Sequence, residues 1–128
     1  AQALGNLGAV ARETGGFDEA RTLYVESLGI LLDLHDPWAK AYLLDDVARL
    51  VYAQGDAEQA LRLIGAAKSF RGSIAAPLPG IEKDALDAFR QRLEADVGSA
   101  AGEVLAEGEA QTADEALRLA LELVSAPN

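Results

Sequence analysis

The sequence predicts an all-α fold, an array of antiparallel helix hairpins closed by a divergent C-terminal helical cap. Three observations carry this expectation. The stretch Gly15-Gly16-Phe17-Asp18-Glu19-Ala20 returns as Gly55-Asp56-Ala57-Glu58-Gln59-Ala60, an offset of 40 residues. The same offset sets Leu4 over Leu44, Leu7 over Val47, Gly8 over Ala48, Ala11 over Val51 and Tyr24 over Ile64, each apolar, aromatic or small. Within each unit the first four of these positions run i, i+3, i+4, i+7, the spacing of one helix face, and each unit breaks at a glycine before resuming as a second helix. A two-helix unit recurring at a fixed period signals a stacked array, because a lone hairpin cannot bury its apolar face.

The elements follow from punctuation. A first helix is expected over Gln2 to Thr14, with Gly15-Gly16 as its stop, and a second from Phe17 or Asp18 to Leu34. Asp36-Pro37 supplies an N-cap and a proline at the first helical position, where the missing N–H costs nothing, so a third helix spans Pro37 to Gln54. Asp56-x-x-Gln59 is a capping-box variant that opens a fourth helix reaching about Phe70. From Gly72 to Gly80, two prolines (Pro77, Pro79) and two glycines within nine residues leave little room for a helix.

Beyond that loop, Leu86, Phe89, Leu93 and Val97 line one face of a fifth helix over Ile81 to Val97. Gly98-Ser99 interrupts, and a short helix covers Ala100 to Glu107. Thr112-x-x-Glu115 is then a capping box for a last helix with Leu117, Ala120, Leu121 and Val124 on one face. This end does not follow the 40-residue period. A stack needs an atypical final unit to cover its last apolar face, and residues 81–125 are assigned that part. The expected organisation is one domain: repeat one over 1–34, repeat two over 37–71, a Pro/Gly loop over 72–80, and the cap.

Composition narrows the function. The chain has 128 residues and 13.4 kDa, half of them apolar, enough for one domain with a real core. Eleven basic against 21 acidic residues give a net charge of −10, which argues against direct nucleic-acid binding, since that affinity depends on neutralising phosphates. With no cysteine there are no disulfides, thiolate metal sites or thiol nucleophile. No apolar run reaches the roughly 18–20 residues of a membrane span, and no secretion signal is legible, so a cytoplasmic setting is expected. The chain opens Ala1-Gln2 and contains no Met, which leads us to expect a piece of a longer protein.

The spacing Leu4-x2-Leu7-Gly8-x2-Ala11, followed by Ala20-x3-Tyr24, resembles the tetratricopeptide repeat. It departs from that family at Leu4 and Ala11, where bulky aromatics are usual, and no proline closes the first repeat. The period of 40 exceeds the family's about 34 and reads as longer helices. The resemblance implies a right-handed superhelical array that binds proteins or peptides, with the first helix of each hairpin lining a concave groove. Over most of the chain, Gly55-Asp56 through Ala66-Ala67, Ala76-Pro77-Leu78-Pro79, Val97-Gly98, Ala106-Glu107-Gly108 and Thr112-Ala113-Asp114-Glu115-Ala116 together are similar to a narrower group. This is the C-terminal repeat region of large bacterial regulators, LuxR-type transcriptional activators and related signal-transduction ATPases. That resemblance implies a sensor and interaction arm, with DNA binding in a separate module, and carries over no catalytic residue.

By the same resemblance the groove candidates are Gln2, Asn6, Ala9 and Arg12 from the first unit, and Tyr42, Asp45, Arg49 and Tyr52 from the second. The latter four fall at i, i+3, i+7 and i+10, one face distinct from the Leu44/Val47/Val51 stripe. Tyr and Arg are the types enriched in binding hot spots, so Asn6, Arg12, Tyr42, Asp45, Arg49 and Tyr52 form the candidate partner-binding set. The Lys/Asn clamp that grips peptide C-termini is absent, and a net-acidic domain suits a basic or neutral partner surface. Trp38 reads as a packing anchor between hairpins. The first helix, expected to be covered by an upstream repeat in the longer protein, would otherwise fray or pair with a second copy.

Two alternatives stand beside partner binding: a small-molecule effector pocket with the Pro77/Pro79 loop folded over the groove, and a structural or oligomerisation arm. Chemistry finds little support. His35, the one histidine, has only Asp33 and Asp36 beside it, short of a closed zinc site. Asp45 and Asp46 are adjacent, about 100° apart on a helix, so one is expected to face the groove and the other solvent. Gly5-x-x-Gly8 and Gly15-Gly16 match neither a dinucleotide fingerprint nor a phosphate loop, and no serine sits in a nucleophile elbow. No enzyme activity, cofactor or metal is expected.

Overall fold

In the structure, a computed structural model that describes residues 10–33, 37–73 and 80–125, two glycines turn the chain in the same way 40 residues apart. Gly15 has φ +86° and Gly55 φ +96°, a left-handed conformation that other residues adopt only at a cost. The Gly15 N–H donates to the Arg12 carbonyl at 3.2 Å and the Gly16 N–H to that of Ala11 at 2.7 Å. Forty residues on, Gly55 donates to Tyr52 at 2.9 Å and Asp56 to Val51 at 3.1 Å. These are the two bonds of a Schellman cap, which satisfies carbonyls left open at a helix C-terminus. The N–H groups of Ala20 and Ala60 then return to the carbonyls of Gly16 and Asp56 and start the next helix.

Among the described residues every regular element is helical. Residues 10–13 are helical and enter the first turn. Then come α1 (Phe17–Leu32), α2 (Pro37–Ala53), α3 (Ala57–Ser73), α4 (Gly80–Val97), a 3-10 turn (Gly98–Ala100), α5 (Ala101–Glu109) and α6 (Ala113–Ser125). Asp56 caps α3 by accepting the Gln59 N–H at 3.1 Å. The Gln59 side chain does not complete the box; it accepts from Arg62 instead. At α6 the box is complete: the Glu115 N–H donates to Thr112 Oγ1 at 3.1 Å and the Thr112 N–H to Glu115 Oε1 at 2.9 Å.

Several boundaries differ from expectation for packing reasons. Phe70 and Arg71 are both buried, and they carry α3 past Phe70 to Ser73, through Gly72. Gly80 is already helical, so helix occupies both ends of the expected loop 72–80; its middle, with Pro77 and Pro79, lies outside the described residues. The short helix α5 runs on to Glu109 rather than Glu107, with Gly108 buried in its last turn. The side chains of Trp38 and His35, and residues 1–9 with the expected body of the first helix, also lie outside the described residues.

The core repeats as the backbone does. Ala20 and Ala60 are completely buried, as are Tyr24 and the Leu44/Val47/Ala48 stripe, with Ile64 nearly so. α2 and α3 form the principal hairpin, and α5 packs along the far side of α3. The α3–α5 crossing is close because two glycines stand in it. A Cβ on Gly65 would lie 2.5 Å from the Leu105 carbonyl oxygen, and one on Gly108 would collide with the Arg62 carbonyl. Residues 81–125, expected as a terminal cap, divide in two: α4 and α5 rest on α3, whereas α6 turns back onto α1 and α2. Its stripe of Ala116, Leu117, Ala120 and Val124 is buried there.

Candidate functional site

The residues read as a groove face do share one side of α2, and the structure shows what each meets. Tyr42, near the start of the helix, is 38% exposed, and the Arg71 guanidinium of α3 lies 5.6 Å from its ring centroid. Asp45, one turn on, is buried and forms an ion pair with Arg71. Arg49 stacks over the Phe89 ring of α4, 4.6 Å from its centroid. Tyr52 meets the same ring edge-on, at 5.7 Å and 76°, and its hydroxyl donates to Asp96 Oδ2 at 2.5 Å. The first turns of the face are thus open at Tyr42, whereas its last turns are covered by α4.

From the first unit, Arg12 is half-buried and lies 3.7 Å from Glu13. Val10, near the end of the same helix, is 58% exposed. Asn6, Gln2 and Ala9 lie outside the described residues.

Asp45 and Asp46 require a correction. Neither faces open solvent: Asp45 is 8% exposed and Asp46 half-buried. Their divergence by about 100° aims them at two neighbours instead, because guanidinium groups wait on both sides of α2. Burial pushes the Asp45 carboxyl up to about 6 against the opposing pull of Arg71. Burial likewise raises Asp46 to about 6, against Arg12 and Arg49. Tyr24, fully buried on α1, is raised to about 12, first by burial and then by the Asp46 carboxylate. Desolvation penalises the charged form of each group, and for the two aspartates the nearby guanidinium groups only partly offset it.

Arg71, Phe89 and Asp96 were not singled out as site residues from sequence. Arg71 carried a usable signal: it continues the buried stripe Ile64, Ala67 at i, i+3, i+7, where a guanidinium needs a carboxylate partner. Phe89 was legible only as core. Its service to Arg49 and Tyr52 depends on where α4 lands. Among the described residues no three His, Asp or Glu side chains gather as a metal site. No helix among them is long and apolar enough to cross a membrane.

A helical-repeat array that sets Tyr42, Asp45, Arg49 and Tyr52 on one helix face, with Asp45 paired to Arg71 of the next helix, defines a helical-repeat scaffold. Comparison with known families places it more closely: residues 1–67 match the tetratricopeptide repeat, and the chain belongs to that family. Its repeats generally mediate protein–protein interactions and are generally non-catalytic. No curated protein and no solved structure matches the chain.

Proposed function

We propose that this domain is a non-catalytic interaction or signal-sensing arm of a cytoplasmic bacterial transcriptional regulator, and that it engages its partner along the Tyr42–Tyr52 face of α2. Tyr42 carries the reading: a large aromatic side chain, 38% exposed, set against a buried guanidinium. Residues of this kind dominate binding energy where they fill a partner's pocket. Arg12 and Asn6 of the first unit complete the proposed partner-binding set. The net charge of −10 favours a basic or neutral partner surface, through complementarity that speeds encounter. The regulator context rests on the similarity of the second-half motifs, with DNA binding assigned to another module.

The test is made in the full-length protein. Tyr42→Ala, at unchanged abundance and melting temperature, is expected to abolish the regulated transcriptional response. An unaltered response removes this face from the mechanism.

One observation favours a second reading, an effector-binding site in the same groove. Among the described residues Asp45 Oδ1 and Arg71 Nε and Nη1 are buried without a hydrogen-bond partner, and a polar ligand would satisfy them. A ligand bound only by the folded state must raise the melting temperature, so a thermal-shift screen of polar metabolites tests it.

A further inference from the structure

The way α4 is held differs from the way its neighbours are held. Of its described side chains Phe89 and Leu93 are buried and Leu86 and Val97 are half-buried against the core, while Lys83, Asp84, Gln91 and Arg92 are exposed. Its described ion pairs stay within the helix, Arg90 to Glu94 at 2.8 Å and Arg90 to Asp87 at 3.7 Å. The α3–α5 crossing, in contrast, has Arg62 to Glu107 at 3.4 Å and Lys68 to Glu109 at 3.6 Å beside the Gly65 and Gly108 contacts.

The chain on both sides of α4 is therefore anchored without it. α3 is packed into its hairpin with α2, α5 is locked to α3, and α6 is seated on α1 and α2. The C-terminal end of α4 passes into an exposed 3-10 turn through Gly98, whose φ is +83° and whose Cβ position is open space. An element with few buried apolar contacts between two independently held segments is the kind that opens locally while the rest stays folded.

Besides resting on α3 and α5, α4 reaches with its side chains over the last part of the α2 face. Phe89 fills the angle between Arg49 and Tyr52, and Asp96, seven residues on and two turns along the same side, accepts from Tyr52. We propose that α4 is a displaceable strap occupying part of the partner face of α2, and that the partner it yields to is a helix presenting an aromatic side chain and, seven residues on, a carboxylate. The proposal rests on reading the α2 face as the binding face. It adds self-competition: α4 is a tethered mimic of the partner, and its tether gives it a high effective concentration that a free helix must overcome.

Hydrogen exchange and a peptide probe test the two halves separately. In the wild-type chain, amides of 80–97 are expected to exchange faster than those of 57–73 and 101–109. Tyr52→Phe removes only the bond to Asp96 and should speed exchange over 80–97 by about fivefold, the effect of one such bond, leaving 57–73 unchanged. Exchange over 80–97 as slow as over 57–73 overturns the strap, whatever α2 binds. A labelled synthetic peptide of residues 80–97 should bind Phe89→Ala at least roughly tenfold more tightly than wild type, where the tethered copy competes. Equal binding to both chains, or none to either, overturns the self-competition. Should Phe89→Ala unfold, Tyr52→Phe decides the strap through exchange alone. Failure of the Tyr42→Ala response test would count against the binding-face reading and leave the exchange result standing.

Discussion

Asp45 and Arg71 face each other across the α2–α3 crossing, each less than a tenth exposed. Removing one member of such a pair strands a charge in a medium that solvates it poorly, at about 3–5 kcal/mol, whereas replacing both with apolar groups is often neutral. Arg71→Leu should therefore lower stability by about 3 kcal/mol at pH 7. Asp45→Leu with Arg71→Leu should recover most of the loss. Denaturant titration of the three variants and wild type, read as a double-mutant cycle, checks this.

The same carboxyl sets a pH dependence with a definite sign. Its folded pKa of about 6 lies above the ordinary 3.8, so the folded state holds the proton more tightly than the unfolded chain. Its contribution is full below the unfolded value and is lost as pH rises through the folded one. Relative to Asp45→Asn, wild type should lose stability between pH 4 and 7, on the order of 2 kcal/mol. Parallel stability curves for the two proteins over that range would contradict it.

Glycines in the α3–α5 crossing should tolerate nothing larger. Gly108→Ala and Gly65→Ala each drive a methyl into backbone, which cannot swing aside, and an overpacked contact costs about 1–3 kcal/mol or more. Gly102, also on α5, has open space at its Cβ position. Gly102→Ala should be neutral or stabilising by up to about 1 kcal/mol. Thermal melts of the three variants separate packing from helix propensity.

Gly15 and Gly55 should behave as a matched pair. Alanine at either must adopt the left-handed conformation, at about 1–2 kcal/mol, and neither site has a steric neighbour to add to it. Similar costs at two positions 40 residues apart would give the repeat an energetic signature, measured by chemical denaturation.

Thr112→Ala removes half of the α6 capping box, and a lost N-cap costs about 1 kcal/mol. The Thr112 backbone N–H first, and its side chain second, hold the Glu115 carboxyl below its ordinary range, so loss of the side chain should also raise its titration midpoint part of the way. NMR titration of the Glu115 side chain reads that shift directly.

The features legible in the sequence were those fixed within a few residues. Gly15, Gly55 and Thr112-x-x-Glu115 act through bonds to their own turn, so local spacing identified them and the structure places them as expected. The helix faces were legible for a related reason, since a 3.6-residue period decides which side chains are buried together. What they are buried against was not. The stripe on α6 announces that a face is covered, but the choice of α1 and α2 as its cover depends on how every earlier helix is oriented. Asp45 and Asp46 failed in the same way: their divergence was readable, whereas Arg71 beside Asp45 and Arg12 near Asp46 belong to other helices.

The return of α6 onto α1 and α2 changes how the domain should fold. A plain repeat stack is nearly one-dimensional: each unit feels only its neighbours, and unfolding can fray inward from an end. Here the last helix is seated against α1 and α2, helices of the first and second repeats, so those helices and the C-terminus stabilise each other. Closing that loop raises the contact order and slows folding, and in exchange the ends are coupled. A disturbance at α1 is felt at residue 125 without passing through each repeat in turn.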